Sequence, residues 1–141
     1  MKVKDIMTKD PAMCVPDTPL NEVALMMVDR DCGEIPVIES AVSSRLVGVV
    51  TDRDIVVRAV ARGMNPLEMT AEDVMTSPAL TVTLDTRVEE CAEALADRRV
   101  RRMPVIDDDG ACQGIVSQAD IAQHASGKLT AKVVRTVSEP L

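Results

Sequence analysis

Two short segments of the sequence carry a hydroxyl and a carboxylate at the same spacing. Thr51 precedes Asp54 by three residues in GVVTDRDI, and Ser117 precedes Asp120 by three in GIVSQADI. In each segment an apolar run typical of a buried strand leads into a run typical of a helix, so the pair falls in the helix's first turn. There the two side chains can cap the helix. Alternatively they can bind a ligand, since one carboxylate accepts hydrogen bonds from two neighbouring hydroxyls, and free N–H groups at a helix start favour a phosphate.

These segments belong to a longer internal repeat. With a shift of 68 residues, 9 of the 23 residues in 17–39 are identical to those in 85–107. With the same shift, DIMT at 5–8 aligns with DVMT, and with a shift of 66 the two strand-to-helix segments share 4 of 8 residues. Matching blocks in the same order indicate that the chain contains two copies of one structural unit.

Each copy predicts the element order β-α-β-β-α. Short extended pieces, MCVP and LTVT, precede helices that Asp17-Thr18-Pro19 and the capping pattern Thr86-x-x-Glu89 should open. Each helix is followed by two strands and then by the helix that begins at Thr51 or Ser117. The first helices have apolar residues at helical spacing, which are Leu20, Val23, Ala24, Met27 and Val28 in one copy and Val88, Cys91, Ala92, Leu95 and Ala96 in the other.

The repeat predicts a mixed α/β (α+β) fold with three parts. Residues 1–68 form the first repeat with a connector, residues 69–126 the second repeat, and residues 127–141 a helical tail. A unit of about 55 residues buries its own sheet poorly, so the two copies are expected to pack on each other.

Composition disfavours several classes of function. The net charge of −7 opposes binding to nucleic acid or to an anionic membrane. The chain has no Phe, Tyr or Trp, which excludes an aromatic platform for stacking bases. No apolar run reaches the roughly 18 residues of a membrane span, and the N-terminus has no apolar signal-peptide core, so we expect a cytoplasmic protein.

The cysteines and the histidine do not suggest a metal or a nucleophile. Cys14, Cys32, Cys91 and Cys112 form no C-x-x-C pair, and His124 is the only histidine. The spacing fits neither a zinc site nor a disulfide framework, and we expect half-buried thiols. There is also no glycine-rich phosphate loop and no local nucleophile–base pair, so the sequence predicts a protein that is not an enzyme and requires no cofactor.

The repeated segments resemble the cystathionine β-synthase (CBS) domain family in its tandem form. The resemblance rests on the strands IPVI and MPVI after a helix, on GVVTDRDI and GIVSQADI, and it covers about residues 1–125. The longer stretch TDRDIVVRAVARG and the later RRMPVI are similar to stand-alone bacterial CBS pairs of the hypoxic-response-protein type. The resemblance implies two repeats related by a pseudo-twofold axis, a homodimer, and clefts between the repeats for AMP, ADP, ATP, NAD or S-adenosylmethionine.

The resemblance also implies roles for individual residues. Asp54 and Asp120 would bind the ribose hydroxyls, and Thr51 and Ser117 would lie beside ribose and phosphate. The adenine would contact Val15, Ile35 and Pro36 in one cleft and Val82, Met103 and Pro104 in the other, although all six also suit a core.

Several arginines lie close to these positions. Arg53 fits either an ion pair with a neighbouring aspartate or a contact with phosphate. Gln118 and Ala119 replace Asp52 and Arg53 in the second copy, so the Asp54 site is expected to prefer more phosphate charge than the Asp120 site. The arginines in DRRVRRMPV fit a solvated helix end or a phosphate contact, for which Arg101 and Arg102 are best placed.

Two functions from different classes follow. The first is a regulatory sensor that binds an adenine nucleotide and signals to a protein partner through its surface. The alternative is a CBS pair with empty clefts that acts as an interaction or scaffold protein through its dimer surface.

Overall fold

The computed structural model describes residues 1–124, and the predicted tail at 127–141 lies outside them. The helices are α1 (Val3–Ile6), α2 (Leu20–Arg30), α3 (Asp52–Arg58), α4 (Ala71–Val74), α5 (Val88–Arg98) and α6 (Gln118–His124). The strands are β1 (Thr8–Lys9), β2 (Glu34–Ile38), β3 (Leu46–Thr51), β4 (Val82–Thr83), β5 (Arg102–Ile106) and β6 (Cys112–Ser117). Two 3-10 turns, Val60–Arg62 and Pro66–Glu68, follow α3. The predicted mixed α/β fold with two repeats is confirmed.

The chain divides into two compact units whose limits differ from those of the sequence repeats. Residues 11–79 and 109–112 form what we call the first-repeat unit. Residues 1–10, 80–108 and the described chain from 113 onward form the second-repeat unit. The boundaries predicted at residue 68 and residue 126 describe copies of the sequence and remain a prediction. The structure groups the chain by packing instead.

The first-repeat unit is built around the antiparallel pair β2 and β3. In this pair Glu34 lies opposite Thr51, and Ile35 lies opposite Val50. Cys14 extends the sheet beyond β2 through a parallel bridge to Val37. Thr76 extends it beyond β3 through an antiparallel bridge to Val49.

The second-repeat unit contains a sheet with the same arrangement. Its strand order is β1-β6-β5-β4, in which β4 runs parallel to β5 and β1 runs antiparallel to β6. Thr8 is paired with Ile115 in β6, as Thr76 is paired with Val49 in β3. The segment at the start of each sequence repeat therefore completes the sheet of the other repeat.

A glycine in each sheet permits this close pairing. A Cβ atom at Gly48 would lie 2.7 Å from the Thr76 carbonyl oxygen and 3.1 Å from the Met75 sulfur. A Cβ atom at Gly114 would lie 2.6 Å from the Thr8 carbonyl oxygen and 2.8 Å from the Met7 sulfur. Real Cβ atoms do not approach so closely, so both positions require glycine.

Each unit has its own apolar core. Val3 and Ile6 of α1 pack with α5 and β5 in the second-repeat unit, and Ala71 and Val74 of α4 pack with α2, β2 and β3 in the first-repeat unit. The apolar positions predicted for α5 are all buried. The prediction for α2 is wrong at Val28, which is 75% exposed.

Both predicted helix starts need a correction. Pro19 is the N-cap of α2 and not its first helical residue, and no side chain caps this helix within the described part of the chain. Helix α5 begins only at Val88, and Thr86 does not form a capping box with Glu89. Instead the Thr86 hydroxyl accepts a hydrogen bond from the Thr83 backbone N–H at 3.0 Å, and this bond stabilises the turn before the helix.

Candidate functional site

Thr51 and Asp54 form a reciprocal capping box at the junction of β3 and α3. The Asp54 N–H donates to Thr51 Oγ1 at 3.0 Å, and the Thr51 N–H donates to Asp54 Oδ2 at 3.0 Å. The Asp54 side chain is 13% exposed, and its second oxygen, Oδ1, lies 3.8 Å from Arg58 Nη1. Capping therefore uses one carboxylate oxygen, and the other has no hydrogen bond to the described part of the chain.

Ser117 and Asp120 repeat this geometry at the junction of β6 and α6. The Asp120 N–H donates to Ser117 Oγ at 3.1 Å, and the Ser117 N–H donates to Asp120 Oδ2 at 2.8 Å. The Ser117 hydroxyl also lies 3.0 Å from Asp120 Oδ2 and donates to it. Within residues 1–124, no hydrogen bond or ion pair involves Asp120 Oδ1.

A third capping pair shows that this geometry is not specific to the repeated segments. The Thr70 N–H donates to Asp73 Oδ2 at 2.8 Å at the start of α4, which is outside the strand-to-helix junctions. Capping alone thus explains the Thr-x-x-Asp spacing there. What sets Asp54 and Asp120 apart is their surroundings, since each follows a buried strand and is itself only partly exposed, whereas Asp73 is exposed.

The first turn of α3 has fewer free N–H groups for a phosphate than the sequence predicted. The Asp52 N–H donates to the Gly33 carbonyl at 3.0 Å, and the Arg53 N–H donates to Asp52 Oδ1 at 2.8 Å. With the Asp54 N–H bonded to Thr51, the first three N–H groups of α3 all have partners. The expectation of free N–H groups is wrong here, because the Asp52 side chain and the preceding loop supply acceptors.

The first turn of α6 differs in its polar groups. The Gln118 N–H donates to the Arg101 carbonyl at 2.9 Å, which matches the contact of Asp52 with Gly33 in the first repeat. The side-chain oxygen of Gln118 is buried and has no hydrogen-bond partner within residues 1–124. The sequence showed only that Gln118 is uncharged where the first repeat has Asp52. The buried amide oxygen is a feature that the structure adds.

The arginines named from the sequence occupy different environments. Arg53 is exposed and makes no ion pair with described residues, so the ion-pair interpretation is wrong; the nearest cation to the Asp54 carboxylate is Arg58. Arg98 ends α5 and Arg99 caps it with a φ of 55°, which places both at the helix end. The exposed Arg101 and the half-buried Arg102 lie beyond it, where β5 begins.

The structure places the residues predicted to contact adenine mostly in the cores. Ile35 is fully buried, and Val82 and Met103 are 7% and 2% exposed. Pro36 and Pro104 are also buried, whereas Val15 is half-buried. Within each unit these residues share a sheet with the capping pair, since Ile35 and Pro36 of β2 pair with β3 one and two residues before Thr51. The contact of these residues with adenine stays a prediction.

Sequence reasoning overlooked Glu34 as a buried charge. Glu34 lies opposite Thr51 in the sheet, is 5% exposed, and takes part in a polar interaction. Its equivalent in the second repeat is Arg102, so one strand position carries opposite charges in the two copies. That reversal is visible in the aligned repeats and could have indicated that the two sites are electrostatically different.

The buried thiols are protonated at neutral pH. Burial raises the pKa of Cys14 to about 11. Burial, with a smaller contribution from the charge of Asp120, raises the pKa of Cys91 to about 11 as well. The four cysteines are free, and no group of three or more His, Cys, Asp or Glu among residues 1–124 could hold a metal ion.

None of the described helices is both long enough and apolar enough to cross a membrane.

The family model of the CBS domain matches the chain twice, over residues 3–60 and 71–127. The chain therefore belongs to the CBS domain family and carries a tandem pair. Both matches contain one of the strand-to-helix junctions described above.

Curated relatives include stand-alone CBS proteins. Hypoxic response protein 1 of Mycobacterium tuberculosis is 31% identical over 122 residues, which cover 86% of this chain and 83% of that protein. Protein MK0525 of Methanopyrus kandleri is 32% identical over 123 residues, which cover 87% of this chain. The chain spans 62% of the length of MK0525. The predicted similarity to CBS pairs of the hypoxic-response type is confirmed.

Solved structures with the same fold include proteins with bound ligands. Hypoxic Response Protein I, with two coordinated zinc ions, has a TM-score of 0.79 and 30% identity, covering 89% of this chain and 100% of that one. The CBS pair of MJ0100 in complex with 5′-methylthioadenosine and S-adenosyl-L-methionine has a TM-score of 0.77 and 28% identity, covering 87% and 94%. CBSX2 in complex with AMP has a TM-score of 0.74 and 29% identity, covering 86% and 93%.

Proposed function

We propose that this protein is a regulatory module that binds an adenine nucleotide or a related adenosyl compound and presents the bound state to a protein partner. One observation carries the proposal. Asp54 and Asp120 each cap a helix through Oδ2, and Oδ1 of each makes no hydrogen bond with residues 1–124. The capping and ligand interpretations of these residues are therefore compatible, since a ribose hydroxyl can donate to the second oxygen of either carboxylate.

The comparisons support the class of ligand. CBSX2 was solved with AMP, and the CBS pair of MJ0100 with 5′-methylthioadenosine and S-adenosyl-L-methionine. All three compounds contain adenine joined to a ribose ring with free 2′ and 3′ hydroxyls, so these are the groups they share. We propose that in this chain Asp54 and Asp120 bind the ribose of such a compound, with AMP, ADP, ATP or NAD as the regulatory ligand.

The roles of the surrounding residues follow as part of the same proposal. Thr51 and Ser117 would lie beside the ribose and phosphate, and exposed Arg53 and Arg101 are free to reach a phosphate. The half-buried Arg102 would do so from the edge of β5. The core positions Ile35, Pro36, Val82, Met103 and Pro104 would support the adenine site mainly through their backbone groups, and Val15 could add its side chain.

The two sites are proposed to differ in their preference for charge. Arg53 lies beside the Asp54 site, whereas the second repeat has Ala119 there. We keep the prediction that the Asp54 site prefers the more highly phosphorylated ligand. Comparing ATP with AMP in single-site variants is the direct measurement.

The test begins with the ultraviolet spectrum of the purified protein. Because the chain contains no Phe, Tyr or Trp, a band at 260 nm that is lost on denaturation would reveal a co-purified nucleotide. Thermal unfolding with AMP, ATP, NAD or S-adenosylmethionine follows. A ligand at 100 times its Kd stabilises the folded state by about 2.7 kcal/mol. No band and no stabilisation by any of the four would reject the proposal.

A second candidate is an interaction protein that works without a nucleotide. Exposed apolar side chains on α2 and α3 favour it, with Leu25 57%, Val28 75% and Val56 56% exposed. Their equivalents in the second repeat are Glu93, Ala96 and Ala122. If no nucleotide binds the protein but Leu25→Glu changes its oligomeric state, this candidate is preferred. The homodimer, the cytoplasmic location and the absence of enzymatic activity stay predictions.

A further inference from the structure

Arg58, the last residue of α3, contacts both the candidate ribose-binding carboxylate and a distant stretch of backbone. Its Nη1 donates to the Val74 carbonyl at 2.9 Å and to the Met75 carbonyl at 3.0 Å. The same nitrogen lies 3.1 Å from Thr76 Oγ1 and 3.8 Å from Asp54 Oδ1. Nη1 has two N–H groups for three hydrogen-bond acceptors, whereas Asp54 Oδ1 is too distant for a hydrogen bond and attracts the guanidinium through its charge. Removing the Asp54 charge or one of the acceptors therefore changes how the guanidinium is held.

The contacted backbone, residues 74–76, completes the sheet of the first-repeat unit. The Thr76 N–H donates to the Val49 carbonyl at 2.8 Å, and the Val49 N–H donates to the Thr76 carbonyl at 3.0 Å. Beyond residue 79 the chain continues into the second-repeat unit. Arg58 therefore holds the point at which the chain leaves the first-repeat sheet.

The second repeat lacks this connection. The position equivalent to Arg58 is His124, whose exposed side chain makes no hydrogen bond or ion pair with residues 1–124. Thr8 and Ile115 are paired as Thr76 and Val49 are, yet no side chain from α6 bonds to that segment among the described residues. At this helix position the first repeat has a long cation and the second does not, which provides an internal comparison.

We propose that Arg58 is a positioning residue that couples the Asp54 carboxylate to residues 74–76. The charge of Asp54 anchors the guanidinium, and the guanidinium in turn holds the backbone of Val74 and Met75. A ligand that draws on Asp54 Oδ1 competes with Arg58 and alters this hold, so occupancy of the first-repeat site is transmitted to the connecting segment. The ligand part rests on the proposed function, whereas the link between Asp54, Arg58 and residues 74–76 does not.

Amide hydrogen exchange of the ligand-free protein tests the link. Arg58→Gln should accelerate exchange of the Thr76 and Val49 N–H groups about tenfold or more, since charge-assisted hydrogen bonds to two carbonyls are lost. Asp54→Asn keeps an acceptor for the helix cap but removes the charge, and should accelerate the same two amides. In the double variant, Asp54→Asn should add nothing to Arg58→Gln, because both changes break one pathway.

Two control variants separate coupling from general destabilisation. Asp52→Asn removes the same charge from the same helix turn and should leave Thr76 exchange unchanged. Asp120→Asn should leave the amide exchange of Thr8 and Ile115 unchanged, because His124 does not connect the Asp120 carboxylate to that segment. If Arg58→Gln does not fold, Arg58→Lys replaces it, and Asp54→Asn must then affect Thr76 less than in the parent protein. An Asp54→Asn variant with unchanged Thr76 exchange, or additive effects in the double variant, overturns the proposal.

Nuclear magnetic resonance with AMP tests transmission by the ligand. In the parent protein AMP should shift the amide signals of Asp54 and Thr76, and in Arg58→Gln it should shift Asp54 but not Thr76. If Arg58 were merely structural, Arg58→Gln would lower stability, but AMP would still shift the Thr76 signal. Equal shifts of Thr76 in both proteins would overturn the proposal. If AMP shifts no signal in the parent protein, the proposed function fails for AMP, and the exchange experiment still decides the role of Arg58.

Discussion

Thr51 and Asp54 bind each other through two reciprocal hydrogen bonds, each 3.0 Å long, and these bonds use only one oxygen of the carboxylate. This relationship reconciles two interpretations of one motif. As a helix cap, the pair stabilises the junction of β3 and α3. As a candidate ligand site, it leaves Asp54 Oδ1 for a hydroxyl group, with its position fixed before the ligand arrives.

The capping role predicts a measurable loss of stability. Asp54→Ala should lower the free energy of unfolding by about 1 kcal/mol, the usual cost of losing a cap. Asp73→Ala removes an equivalent cap in α4 and should cost about the same. Urea unfolding measures both. If Asp54→Ala were neutral while Asp73→Ala destabilised, the Thr51–Asp54 box would not contribute to folding.

The close approach at the two glycines predicts a sharper effect. Gly48→Ala and Gly114→Ala should each destabilise the fold by about 1–3 kcal/mol, because the new methyl group would overlap a backbone oxygen.

Gly63→Ala is the matched control for these two variants. Gly63 has a φ of 71°, but a Cβ atom there meets nothing within 4 Å. Gly63→Ala should lower the free energy of unfolding by about 1 kcal/mol, because only the backbone conformation becomes strained. Thermal unfolding distinguishes the two causes, and a fully stable Gly114→Ala variant would contradict the pairing of β1 with β6.

The buried thiols predict a loss of stability at alkaline pH. Burial raises the pKa of Cys14 and of Cys91 from the ordinary 9.0 to about 11 in the folded state. Above pH 9 the unfolded chain releases these protons more readily than the folded protein does. The contribution of each thiol to the free energy of unfolding is therefore complete below pH 9 and is lost as the pH rises through about 11.

Urea unfolding at pH 7, 9 and 10 checks this direction. The Cys14→Ala/Cys91→Ala variant should show a smaller decline between pH 9 and 10 than the parent protein. An identical decline in both proteins would show that other groups cause it. At pH 8, alkylation of the folded protein should reach the half-buried Cys32 before Cys14 or Cys91, because the latter two are buried and their pKa values are raised.

Local patterns in the sequence predicted much of the fold and part of the site. The repeat, the apolar spacing of α5 and the strand-to-helix junctions all depend on residues close together in the chain. The same holds for the Thr51–Asp54 and Ser117–Asp120 boxes, each of which spans three residues. Their hydrogen bonds could be anticipated because hydroxyl, carboxylate and backbone N–H meet in one helix turn.

Other features depend on contacts that local patterns do not encode. The pairing of Thr8 with Ile115 joins distant parts of the chain, and nothing in DIMT shows which sheet it completes. The acceptors of Arg58 are backbone carbonyls 16 and 17 residues away, and every residue has such a carbonyl. Val28 fits the helical spacing of α2, yet it is exposed because burial depends on what packs against a helix as well as on its own pattern.

The most direct test of the central claim is the affinity of AMP for Asp→Asn variants, measured by isothermal titration calorimetry. Asp54→Asn and Asp120→Asn preserve an acceptor for each cap and remove the charge that would bind ribose. Each should weaken AMP binding at its own site at least about tenfold, the usual loss for a charged hydrogen-bond partner. The matched variant Asp73→Asn should bind AMP as the parent does. If the folded Asp54→Asn/Asp120→Asn protein bound AMP as tightly as the parent protein, the assignment of these carboxylates to the ligand would be contradicted.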